Sequence, residues 1–66
     1  MAEADIIKES YEALVDQAFN AYWNNAFIGN PSASQIQQAE TSFKNEIQAA
    51  RKARDRAIAL LPPSPD

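Results

Sequence analysis

Sixty-six residues with no Cys and no His make one small domain at most, and chains of this length bury only about 60% of the surface they expose when unfolded. Disulfides and the usual Cys or His zinc sites are excluded as reinforcement, so self-association or docking on a larger partner is the reinforcement left. A net charge of -3 argues against coating nucleic acid or anionic membrane by bulk attraction, while a 45% hydrophobic share with one Gly describes a helix former, not a disordered chain.

The first predicted element is a helix over about residues 4–28, where neither Pro nor Gly interrupts the chain. Ile7, Tyr11, Leu14, Val15, Ala18, Tyr22 and Ala26 recur at three- and four-residue steps and form one apolar stripe. A loop over 29–32 follows. Gly29 suits the left-handed position after a helix end, Pro31 cannot extend the old helix, and Ser32 with Gln35 fits a capping box, with Ser34 and Gln37 as an equally spaced alternative.

The second helix is predicted over about 33–61, with a stripe of Ile36, Ala39, Phe43, Ile47, Ala50, Ala57, Ile58 and Leu61. A Pro-rich tail over 62–66 stops it. So short a loop lays the helices side by side and antiparallel, giving an all-α, two-helix hairpin. Counting outward from the loop places Ala26 near Ile36, Tyr22 near Ala39, Ala18 near Phe43, Leu14 near Ile47, Tyr11 near Ala50 and Ile7 near Arg54.

Four large apolar groups have no partner in this arrangement. Trp23 and Phe27 project behind the first helix, and Ile6 and Ile28 flank its other side. Burying each is worth roughly 1.5–3 kcal/mol, large beside the stability of so short a chain. They are the candidate protein interface, through which the hairpin pairs into a four-helix bundle or docks on a different protein. The plainer alternative folds Trp23 or Phe27 over the loop or against the tail.

Charge divides between the helices: Glu3, Asp5, Glu9, Glu12 and Asp16 against Lys8 in the first, and Lys44, Arg51, Lys52, Arg54 and Arg56 against Glu40, Glu46 and Asp55 in the second. In the hairpin the acidic and basic ends are neighbours, and each run sits where the helix dipole favours its sign. Arg54 falls within the apolar stripe, with Asp5 or Glu3 as its expected partner. Arg51, Lys52, Arg54 and Arg56 are also candidate nucleic-acid contacts, interrupted by Asp55.

Catalysis has little support, since the commonest acid-base and nucleophilic groups are absent and no G-x-S-x-G, P-loop, Rossmann or H-E-x-x-H pattern occurs. Glu9 with Glu12, and Glu12 with Asp16, share helix-face spacing but lack the Glu-x-x-His element of di-metal bundles. No cofactor and no metal is expected. The acidic start without a signal layout, and the lack of a long apolar run, favour the cytoplasm and no membrane.

The expected function is a non-catalytic protein-protein interaction or assembly module that self-associates or binds a larger protein. A nucleic-acid-binding regulator is the first alternative. The second is a polymerising helical-hairpin subunit of a secretion or virion assembly: loops of the Asn30-Pro31-Ser32 kind occur before Gln-rich helices in secretion-apparatus filament subunits, although such a loop identifies no family.

Overall fold

The structure, a computed structural model, describes residues 2–63. Two helices make it up: α1, Glu3–Ala26, and α2, Ala33–Leu60. Helix α1 ends two residues before the sequence reading placed it, because Phe27 leaves helical geometry at φ -124°, its N–H still donating to the Trp23 carbonyl at 3.0 Å. The connection is therefore Phe27–Ser32. Gly29 takes a φ of +79°, which a side chain would strain. Residues 64–66 of the Pro-rich tail lie outside the described residues.

The helices are capped unequally. Ser32 closes a full capping box: its Oγ accepts from the Gln35 N–H at 3.1 Å, and its own N–H donates to Gln35 Oε1 at 2.8 Å. Ala2, at the start of α1, has no side chain able to cap, and only Glu3 and Asp5 favour the dipole there.

Tyr22 meets Phe43 near the loop, whereas Tyr11 meets Arg54 far from it, so α2 runs antiparallel to α1. Both contacts lie one turn further along α2 than Ala39 and Ala50, which are level with Tyr22 and Tyr11 on a count outward from the loop. Side chains in a helix lean toward its N-terminus. In an antiparallel pair, α1 side chains lean away from the loop and α2 side chains lean toward it. Two long groups thus meet when the α2 partner is the more distant one.

The seam is narrow. Its buried residues are alanines, Ala18, Ala26, Ala39 and Ala50, which let the helices approach closely. Ile7, Tyr11, Val15 and Tyr22 on α1, with Ile36, Phe43, Ile47 and Ile58 on α2, are half-buried around them. Among the described residues no large side chain is fully enclosed. The Cα trace measures 56 × 18 × 6 Å, so the molecule is one helix thick. Its radius of gyration of 15.8 Å compares with about 11 Å for a compact domain of this length. Stable domains are built from at least two packed layers, and this hairpin supplies one.

Candidate protein-interaction surface

The residues read from sequence as unpartnered are all exposed: Ile6 at 47%, Trp23 at 48%, Phe27 at 56% and Ile28 at 53%. Three further groups join them that sequence reading missed: Phe19, Leu14 and Leu60. Leu14 counted as part of the seam, but sits too far round α1 from Tyr22 and Ala26 to be covered by one neighbouring helix.

These groups occupy two opposite faces. Leu14 and Trp23 are nine residues apart, two and a half turns, which puts them on opposite sides of α1. On one side, Phe19, Trp23 and Phe27 follow one another every fourth residue. Trp23 stacks on Phe27 with ring centroids 5.5 Å apart, and Phe27 presents its edge to Tyr22, also at 5.5 Å. The plainer alternative for Phe27 is thus partly realised, since its ring folds back on Tyr22 and Trp23. Half of both rings still faces solvent.

The same strip continues toward the start of α1 as acid. Asp5, Glu9, Glu12, Asp16, Phe19, Trp23 and Phe27 follow at steps of four, three, four, three, four and four, which keeps them on one face. This spacing was present in the sequence. It escapes notice when acids and aromatics are sorted separately.

On the other side lies an open groove between the helices. Near the loop it encloses about 670 Å³, lined by residues including Ala18, Ala21, Ile28, Ala39, Ser42 and Glu46. It continues past Ala18 and Ala21 into a second hollow of about 560 Å³ beside Leu14, Ala49, Ala50 and Ala53. Trp23 lines neither hollow, whereas Ile28 lines the first. The four sequence-predicted interface residues therefore do not form one patch.

Arg54 differs from expectation. Its Nε donates to Asp55 Oδ1 at 2.9 Å, and its guanidinium carbon lies 4.4 Å from the Tyr11 ring centroid. Asp5 and Glu3, its expected partners, do not reach it: the salt bridge to Asp55 is the only one among the described residues. The hydrogen bond that Arg54 donates to Asp55 raises the Arg54 pKa above its ordinary value, desolvation opposes this, and the Asp55 charge and Tyr11 add to the rise. The flat cation covers the phenol face while its edge stays wet, which is how a charge is tolerated on this seam.

The acidic and basic ends lie side by side as expected, yet no cross-helix ion pair forms among the described residues. Arg51, Lys52 and Arg56 are exposed. The acids of α1 thus remain available to other charges.

Among the described residues, no cluster of three or more potential metal ligands occurs, and no helix is long and apolar enough to cross a membrane. No protein-family model matches the chain, and neither the curated proteins nor the solved structures contain a match to it.

Proposed function

We propose that this protein is a non-catalytic assembly module, a helical hairpin that acts by laying its exposed apolar surface on another chain. One observation carries the reading. The chain exposes 5289 Å², whereas a compact monomer of this mass exposes about 4,200 Å². The surplus of roughly 1,100 Å² exceeds the 800 Å² or so that each partner contributes to a standard interface. Pairing two single-layer hairpins gives a four-helix bundle, the simplest way to supply the missing layer.

Sedimentation and native mass measurement over a range of concentrations, together with thermal melting, test the reading. Association, or a melting midpoint that rises with chain concentration, supports it. A cooperatively folded monomer whose midpoint ignores both concentration and added cell extract overturns it.

A nucleic-acid-binding regulator is the second reading, favoured by one observation: Arg51, Lys52 and Arg56 are exposed and engage no carboxylate among the described residues. Phosphate binding through them would weaken steeply with salt. If R51Q, K52Q and R56Q combined leave retention on RNA and DNA unchanged, or if neither is retained at low salt, this reading fails.

A further inference from the structure

The strip on α1 and the groove on the opposite face differ in shape: one carries protruding rings, the other a floor of alanines walled by Asn24, Asn25, Gln35, Gln38 and the single acid Glu46. We infer that the Phe19–Trp23–Phe27 ridge of one copy seats in the groove of a second copy pointing the same way, so that assembly is a repeating stack and not a closed pair. The inference rests on the reading of the chain as an assembly module and names its partner as the chain itself.

Position along the rod supports this first. Ridge and groove lie at the same height, since Ala21, Tyr22 and Asn25 line the groove within two residues of Trp23. A neighbour pointing the same way brings the rings of one copy level with the hollow of the next. A neighbour reversed end for end would set them against the Leu60 end of the hairpin instead.

Charge selects the same orientation. The ridge continues into Asp5, Glu9, Glu12 and Asp16, toward the open end of the hairpin. On the groove side of α2, at that same end, Lys52 and Arg56 each lie three residues beyond a groove alanine, Ala49 and Ala53. Same-way stacking sets the acids beside these cations. End-for-end stacking would set them beside the uncharged Asn24, Asn25, Gln35 and Gln38 of the loop end.

The placement of the exposed apolar groups fits two contacts per copy. Both faces carry exposed large apolar groups, and an isologous pair would cover one face and leave the other wet. An interface between unlike faces uses each face once and extends until something caps the ends.

The experiment is complementation between two variants of the full chain. Trp23→Asp spoils the ridge and keeps the groove, whereas Ala21→Lys spoils the groove and keeps the ridge. Circular dichroism confirms helicity, and F27D, beyond the end of α1, replaces W23D should that variant lose it.

In sedimentation velocity, the unaltered chain is expected to gain mass with concentration without levelling at twice the chain mass, its single Trp emission shifting to the blue. Each variant alone should remain monomeric. An equal mixture should give a species of twice the chain mass and no larger, because one good ridge meets one good groove.

A plateau at twice the chain mass for the unaltered protein, undiminished association of either variant alone, or a mixture that stays monomeric overturns the inference. An unaltered chain that stays monomeric at millimolar concentration also overturns it, yet leaves standing the broader reading as a module for a different partner.

Discussion

Tyr22 and Phe43 face each other across the hairpin with ring centroids 5.3 Å apart and planes tilted by 37°. Phe27 adds its edge to Tyr22 and Trp23 stacks on Phe27, so four rings tie the loop end of both helices together. Removing the Phe43 ring opens this cluster from within. Phe43→Ala is expected to cost about 3 kcal/mol, near the lower end for aromatic truncation because Phe43 is only half-buried. Urea unfolding followed by far-ultraviolet circular dichroism measures it; a loss below 1 kcal/mol would show that the rings do not hold the helices together.

Ser32 secures the start of α2 through two reciprocal hydrogen bonds. S32A should lower stability by about 1 kcal/mol, and S32D should restore most of it because Asp caps as well as Ser. In a domain this short, each kcal/mol shifts the melting midpoint by about 4–8 °C. Equal midpoints for the two variants would mean that the cap contributes nothing.

Gly29 has open space where a Cβ would stand, so only its backbone conformation resists substitution. G29A is expected to cost about 1–2 kcal/mol through the left-handed conformation alone, with G29N intermediate. Identical urea midpoints for all three chains would show that the turn relaxes freely.

Ala18 is 4% exposed on the seam between the helices, whereas Ala13 faces water. A18L should destabilise by about 1–3 kcal/mol by forcing the helices apart. A13L serves as the control and should leave the melting midpoint nearly unchanged. A neutral A18L would mean that the seam is loose enough to take a larger side chain.

Arg54 and Tyr11 act as a pair, because a planar cation stacks on a ring in a way an ammonium does not. Arg54→Lys should lower the thermal midpoint in the natural chain and have a smaller effect when Tyr11 is already Leu. A double-mutant cycle reads the coupling directly, and additive effects would remove the stack from the account.

Much of this architecture is legible from single residues whose chemistry is local. Gly29, Pro31 and Ser32 mark the loop because turn geometry and capping depend on neighbours in sequence, and the alternative cap at Ser34 loses to Ser32 in the structure. Counting outward from a loop follows Cα positions, whereas the Tyr22–Phe43 and Tyr11–Arg54 contacts follow the lean of the side chains and so fall a turn further along α2. The partner of Arg54 was missed for a related reason. Asp55 is adjacent in sequence and needs no cross-helix reach, and the Tyr11 face attracts a cation without carrying a charge. At the candidate surface, the exposure of Ile6, Trp23, Phe27 and Ile28 and the separation of Trp23 and Phe27 from Ile28 follow from helical phase, although Phe27 and Ile28 lie just past the end of α1. The groove that Ile28 lines depends on how the two helices pack and is not written in either helix alone.

The unequal capping of the helices gives the rod a direction. The capping box, Gly29 and the four rings gather at the loop, while the uncapped start of α1 and the end of α2 share the opposite tip. Unzipping should therefore begin at that tip and travel inward, and amides near Tyr22 and Phe43 should exchange with solvent last. Whatever binds or shields the acidic and basic tip would act as a clasp on the whole hairpin, slowing its opening without touching the rings that hold the other end.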